Sequence, residues 1–225
     1  MFNLISKIQN ILVKKQENDL DLLKYKDLRI TSRPTELEQK IPFKYFILPK
    51  PPANSSQKTK QELDELIKIN AGRDIKTDTT IIQIDEDPSI IYRYFLKRQK
   101  LVFNKKLFDS LYDVLFNIVF DLKLHFNRPR PNQIAEFYGL KIDVLQTDTH
   151  QTPSYPSGHV AYATLAEMVI TEEYPEFTDE VQALTDKVAF ARVKQGVHFQ
   201  SDNEASMKLV RTIYNDLKKY VTETK

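Results

Sequence analysis

Apolar residues recur along this chain mostly three and four positions apart, the spacing of helices that bury one face. The clearest stretch runs from about Lys105 to Phe126. There Leu107, Phe108, Leu111, Leu115, Ile118, Val119 and Leu122 form one broad stripe, suited to the centre of a helical bundle. Asn104 stands where an N-cap belongs, and this is expected to be the longest helix. Upstream, Ser55 or Ser56 caps a helix carrying Leu63, Leu66, Ile67 and Ile69, which ends near Gly72. Asp87-Pro88 opens another, a cap followed by a first-turn proline, with Ile90, Ile91, Tyr94 and Phe95 as its expected buried face. Val160 to Ile170 is apolar enough for a buried helix. Thr178 caps a further one with Val181, Leu184, Val188, Ala189 and Ala191 inward. A last helix runs to about Thr222 through Met207, Val210, Ile213, Tyr214 and Leu217. Thr77–Ile84 is rich in β-branched residues but has no strand to pair with, and is expected to be a loop passing over the helices. The predicted fold class is all-α, a helical bundle.

Before residue 48 the pattern changes. Phe2, Ile5, Ile8 and Leu12, widened by Leu4 and Ile11, predict an amphipathic helix docked on its own protein or on a partner subunit, the latter giving a homo-oligomer. A membrane-surface helix is the alternative, with only Lys7, Lys14 and Lys15 to serve it. Residues 16–50 are irregular, with Pro34 and Pro42 as breakers, and the run Leu48-Pro49-Lys50-Pro51-Pro52 forces an extended boundary. The expected organisation is an N-terminal extension over 1–47 and one main domain over 48–225.

Composition narrows the function classes. A chain of 225 residues with 41% hydrophobic and 28% charged residues has enough material for one sizeable core and the balance of a soluble globular protein. A formal net charge of +2 singles out no partner, and no nucleic acid is expected. The absence of cysteine excludes a disulfide scaffold and a thiolate metal site. No apolar run approaches the ~18 residues of a membrane span. Ser6, Lys7, Gln9 and Asn10 interrupt what a secretory signal would need as its apolar core, so a cytoplasmic or otherwise non-secreted location is expected.

The chemistry gathers around Ser154-Tyr155-Pro156-Ser157-Gly158-His159, where a turn enters a helix. Glycine lets backbone approach a ligand. The unsatisfied N–H groups of a helix start favour an anion, and His159 beside them can supply a proton. Basic residues flank this turn. Lys123 ends the long helix, the prolines of Asn127-Arg128-Pro129-Arg130-Pro131 stop it, and Arg130 can then face Lys123 across a pocket. Arg128 flanks this cradle and is read as solvated. Arg192, Gly196 and His198 come at and after the end of the helix capped by Thr178, and Asp202 lies four residues beyond His198, placed to accept its imidazole N–H and fix the tautomer. His125 and His150 have no motif partner and are read as surface or helix-end residues. Arg93, Lys97, Arg98, Lys100, Lys105 and Lys106, uninterrupted by an acid, are read as a solvated face, with electrostatic steering of phosphorylated substrates as the functional alternative.

Taken together, Lys123 with Arg130-Pro131, then Pro156-Ser157-Gly158-His159, then Arg192, His198 and Asp202 resemble the active site of the type 2 phosphatidic-acid phosphatase superfamily. Within it the hexapeptide and His198-Phe199-Gln200-Ser201-Asp202 are most similar to the soluble class A bacterial acid phosphatases, and the resemblance covers roughly residues 48–220. It implies a helical bundle of the acid phosphatase and vanadium haloperoxidase type. It also implies roles. Lys123, Arg130 and Arg192 would hold a phosphate dianion, with Ser157 and the N–H groups of Gly158 and His159 completing the cradle. His198, oriented by Asp202, would be the nucleophile that forms a phosphohistidine, and His159 the acid and then the base. The implied activity is metal-independent hydrolysis of a soluble phosphomonoester, with no cofactor. A vanadium-dependent haloperoxidase, or a catalytically silent scaffold of the same fold, are the alternatives. The chain departs from the family pattern at Ala191, usually Ser, at Val160, usually small and polar, and over residues 1–47, which have no counterpart.

Overall fold

A computed structural model describes residues 48–223 and, ahead of them, residues 14, 17 and 19–24. The amphipathic helix expected over Met1–Lys15 therefore lies outside the described residues, save for Lys14. Eight α-helices make up the described fold, with no strand among them: α1 (Gln57–Ala71), α2 (Ile75–Glu86), α3 (Ile90–Gln99), α4 (Lys105–Phe126), α5 (Pro131–Phe137), α6 (Gly158–Glu173), α7 (Thr178–Lys194) and α8 (Gln200–Glu223). The all-α expectation holds.

Two boundaries follow the caps read from sequence. Ser56 accepts a hydrogen bond from Thr59 N at the start of α1, and Asn104 accepts one from Leu107 N at the start of α4. The longest helix is α8, at 24 residues, against 22 for α4. α4 ends at Asn127, whose φ of 47° lies in the left-handed region. The chain then runs extended to Arg130, the N-cap of α5, and Pro131 takes the first helical position where its missing N–H costs nothing.

Thr77–Ile84 is a correction. It belongs to α2 rather than to a loop. Asp74 caps the helix by accepting from Thr77 N at 2.7 Å, and the hydroxyls of Thr79 and Thr80 donate to the carbonyls of Ile75 and Lys76 one turn back. Ile81, Ile84 and Asp85 are buried together on one face. Burial of that face outweighs the small helix penalty of β-branched residues. In α3, which starts two residues after Pro88, the buried residues are Tyr92, Phe95 and Leu96, while Tyr94 is exposed, so the buried face is rotated from the expected one.

The centre of the bundle is α6, not α4. It is buried on nearly every side, and its Ala161, Ala163 and Ala166 let α4, α7 and α8 approach closely. α4 buries one face only and leaves Phe116 half exposed. A second, smaller core joins α1 and α5 to Ile142, Val193 and Phe199, and Leu20 is inserted into it at 2% exposure. Asn54 Nδ2 donates to the carbonyls of Leu20 and Leu23, and Asp21 accepts from the backbone N–H and hydroxyl of Ser55. The segment 19–24 is thus fastened to the main domain just outside the turn that carries Phe199.

That turn depends on Gly196. Its φ of 87° is one that other residues rarely adopt, and an added Cβ would lie 2.8 Å from Ile142 Cγ2 and 3.3 Å from Asn70 Nδ2. Gly196→Ala should therefore cost about 2 kcal/mol of stability, a fall in Tm of roughly 4–8 °C. An unchanged melting curve would show that the turn relaxes freely. Leu20→Ala should cost about 2–5 kcal/mol if the segment stays seated in the second core in solution, and denaturant titration measures it. A change under ~0.5 kcal/mol, the size of an ordinary surface substitution, would mean that it does not.

Candidate active site

The three sequence blocks converge because the backbone laces them together. Ser154 N donates to Arg128 O at 2.9 Å and its hydroxyl to Pro129 O, tying the hexapeptide to the segment between α4 and α5. Ser157 N donates to Asp202 O at 3.2 Å, and the Ser206 hydroxyl donates to Ser157 O, tying it to α8. Tyr155 reaches back to donate to Pro49 O in the boundary run. The result is a cavity of about 420 Å³ with Lys123, Arg130, Gly158, His159, Arg192 and His198 among its lining residues. Ser157 and Asp202 are fully buried beside it. Every residue singled out from the motifs is therefore brought to one place.

Within the cavity the cations are held by neutral acceptors. Lys123 Nζ donates to Pro153 O at 2.5 Å. Arg130 donates through Nε to Thr152 O and through Nη1 to Val197 O, both at 2.8 Å. Arg192 pairs instead with Asp85 and, at 2.6 Å, with Gln195 Oε1. Burial pushes the Lys123 ammonium well below its ordinary value, and the neighbouring Arg130 charge pushes it further. Burial also lowers Arg192, to about 9. Ser157 Oγ and Arg192 Nε are buried without a hydrogen-bond partner among the described residues. Crowded cations and orphaned donors at one spot make a site for an anion.

The two histidines are distinguished by their partners. Arg130 Nη1 lies 2.9 Å from His198 Nε2 and can only donate, so Nε2 must carry the lone pair. The proton is then on Nδ1, which faces Asp202 Oδ2 at 3.2 Å. Burial and the charges of Arg130, Lys123 and Arg192 hold His198 well below the ordinary imidazole range. His159 is the reverse case. Its Nε2 lies 2.7 Å from the Asp85 carbonyl, which can only accept, so Nε2 carries a proton and Nδ1 is left to gain or lose one. Burial first, then Lys123 and Arg130, lower His159 to about 4.

Two polar residues were not recognised from sequence. Asp85 had no motif signal, since it sits on a helix read as a loop. It pairs with Arg192 and lies 3.7 Å from His159 Nε2. Arg128, read as solvated, is 2% exposed and donates to Asp202 Oδ1 at 2.6 Å. Its signal was present in the alternation Arg-Pro-Arg-Pro, where both arginines are carried into the same interior. His125 is exposed at the end of α4, and His150 closes a short 3-10 turn, as expected. Ala191 packs in the main core. Among the described residues, no group of three His, Asp or Glu side chains is placed to hold a metal ion. Nor is any helix among them long and apolar enough to cross a membrane.

Comparison with known proteins agrees with this geometry. Non-specific acid phosphatases from Salmonella typhimurium and Salmonella typhi are each 28% identical to this chain over 172 residues, covering 71% of it and 67% of theirs. Among solved structures, a transmembrane PAP2 type phosphatidylglycerolphosphate phosphatase from Bacillus subtilis superposes with a TM-score of 0.53. It is 15% identical and the match covers 76% of this chain and 89% of that one, a likeness of fold. Residues 110–213 match the PAP2 superfamily and hold Lys123, Arg130, the Ser157-Gly158-His159 turn, Arg192, His198 and Asp202. The helical bundle gathers those residues around one anion-suited cavity, and over residues 110–213 the chain matches the PAP2 superfamily and is similar to the non-specific acid phosphatases.

Proposed function

We propose that the protein hydrolyses phosphomonoesters through a phosphohistidine on His198, without a metal ion. The observation that carries this reading is the His198 tautomer: its Nε2 lone pair faces a cavity lined by Lys123, Arg130 and Arg192. A phosphate dianion drawn to those cations takes the Arg130 fork, which frees Nε2 to attack phosphorus. The P–N bond forms as the P–O bond to the leaving group breaks, and the proton on His159 Nδ1 passes to the departing alkoxide. The neutral Nδ1 then takes a proton from water, whose oxygen attacks phosphorus and releases His198 with its lone pair restored. Ser157 Oγ and the N–H groups at the start of α6 stabilise the equatorial oxygens. Three buried cations supply the charge neutralisation for which other phosphatases use a metal, and they would repel one.

The apolar part of the cavity lining suggests which ester fits. Tyr112, Leu115, Phe116, Val119 and Phe120 present one face of α4, with Tyr162 and Pro88 beside them. Such a wall suits an apolar or aromatic organic group better than a sugar.

Three expectations follow from this site. Phosphate release from phenyl and hexyl phosphate should be insensitive to EDTA, inhibited by vanadate, and at least tenfold higher in kcat/KM than release from glucose 6-phosphate. Loss of activity on chelation that added Mg²⁺ restores would refute the metal-free mechanism, and bromide oxidation by the vanadate-loaded protein would favour a haloperoxidase. Next, His198→Ala should abolish ³²P labelling of the protein, while His159→Ala should lose roughly 10²–10⁴ on hexyl phosphate and much less in the first step on 4-nitrophenyl phosphate. Label retained in His198→Ala would reassign the nucleophile.

The pH dependence carries a sign. His159 must be protonated to act as the acid, and in the free enzyme it holds that proton only below about 4. Bound dianion opposes Lys123 and Arg130 and restores the proton at higher pH. The alkaline limb should therefore lie at higher pH in kcat, which reports the complex, than in kcat/KM, which reports free enzyme. Lys123→Met removes one cation and should move the kcat/KM limb upward. A limb that stays in place belongs to another group.

A further inference from the structure

The side of His198 away from the cavity holds an ion cluster that the proposed chemistry does not touch. Asp202 divides its two oxygens. Oδ2 faces His198 Nδ1 at 3.2 Å and accepts from Phe199 N at 2.9 Å, while Oδ1 accepts from Arg128 Nη1 at 2.6 Å. The same Nη1 donates to Ser201 Oγ at 2.8 Å, and the guanidinium stacks over the Phe199 ring at 4.2 Å from its centroid. Glu62 closes the cluster from α1. Its carboxylate accepts from Ser201 N at 2.7 Å and from the Ser201 hydroxyl at 2.8 Å, and lies 3.6 Å from Arg128 Nη2. Arg128, Glu62 and Asp202 are all buried, and none of them lines the cavity.

A buried carboxylate beside a neutral imidazole holds its charge only if another cation faces it. Arg128 is that cation, and its Nη1, held by Ser201 Oγ and by the stacking of the guanidinium on Phe199, also fixes Oδ1 and so the angle at which Oδ2 meets His198. Without it, two carboxylates would share one small buried space with Ser201 between them, and one would take up a proton. A protonated Asp202 has a proton to donate and no longer compels His198 to keep its own on Nδ1. The Nε2 lone pair, on which attack depends, would then be lost in part of the molecules. Glu62 has a second hold on the same place. It satisfies the N–H of Ser201, an orphan donor in the first turn of α8, and so fixes the helix start from which Asp202 projects.

We infer that Arg128 and Glu62 are positioning residues for His198: Arg128 keeps Asp202 ionised and aimed, and Glu62 anchors both Arg128 and the start of α8. This rests on the reading of His198 as nucleophile. It also gives α1, which lies outside residues 110–213, a part in the chemistry.

The test uses the full chain and two readouts, one of which needs no substrate. Ring ¹⁵N NMR, with the His198 signals identified by their loss in His198→Gln, reports the tautomer directly. Wild type should show the Nδ1–H form. Arg128→Met should show a mixture with Nε2–H, together with a fall in kcat for 4-nitrophenyl phosphate of about 10- to 100-fold, the range seen when a group that orients a metal-bound histidine is lost. KM should stay within about twofold, because Arg128 does not touch the substrate. Arg128→Lys keeps the charge and loses the planar guanidinium and its stacking, so it should retain the tautomer and fall less than Arg128→Met. Glu62→Gln should lower kcat about three- to tenfold, again with KM nearly constant. A folded Arg128→Met with the wild-type tautomer and kcat overturns the inference, as does an Arg128→Lys no better than Arg128→Met in both readouts. Should Arg128→Met fail to fold, wild-type tautomer and kcat in both Arg128→Lys and Glu62→Gln overturn it equally. If the wild type proves not to form a phosphohistidine while Arg128→Met still loses the tautomer, the positioning role stands and only the assigned reaction falls.

Discussion

The structure depends on keeping several positive charges buried close together. Lys123, Arg130 and Arg192 are all buried, and each depresses the proton affinity of a neighbouring histidine or lysine. Like charges so placed destabilise the fold unless something opposes them. Here the opposition is divided. Carbonyl oxygens of Thr152, Pro153 and Val197 take Arg130 and Lys123, while Asp85 takes Arg192. Carbonyl dipoles offset a charge less completely than an anion does, so part of the cost of assembling the site is left for a ligand to relieve. A dianion bound there gains from every cation at once.

The same field assigns different roles to chemically identical side chains. His198 and His159 share the cavity and both are pushed toward neutrality. They differ in what their ring nitrogens meet. A carboxylate on Nδ1 and a guanidinium on Nε2 leave His198 with its lone pair toward the anion site. A backbone carbonyl on Nε2 leaves His159 to exchange its proton at Nδ1. Neither arrangement is local. The carboxylate is steadied from α1 through Arg128 and Glu62, and the carbonyl belongs to α2.

These two helices lie ahead of the matched PAP2 region, yet each supplies a contact to the residues of the site. α1 supplies Glu62 behind His198, and α2 supplies Asp85 between Arg192 and His159. The segment around Leu20 is packed into the core under Phe199, the ring on which Arg128 stacks. Chain outside the motif region thus bears on the orientation of groups within it, by the ordinary route of packing against the residues that hold them.

How much of this was legible in the sequence depends on whether the signal was local. Helical periodicity identified α1, α4, α7 and α8, because each repeats its apolar positions over several turns, the continuous apolar run of Val160–Ile170 identified α6, and Ser56 and Asn104 marked starts by a cap chemistry that spans three residues. The three motif blocks announced Lys123, Arg130, Ser157, Gly158, His159, Arg192, His198 and Asp202 because spacing within each block is short. Only the tertiary structure decided the rest. α2 looked like a loop because its threonines and isoleucines favour strands by themselves, and burial of Ile81 and Ile84 against the bundle overrides that preference. Arg128 looked solvated because nothing near it in the chain is acidic. Its partners are Asp202, 74 residues away, and Glu62, contributed by another helix. Charge alone does not say whether an arginine is wet or buried; that is settled by which carboxylates the fold brings to it, and those contacts are long in sequence and short in space.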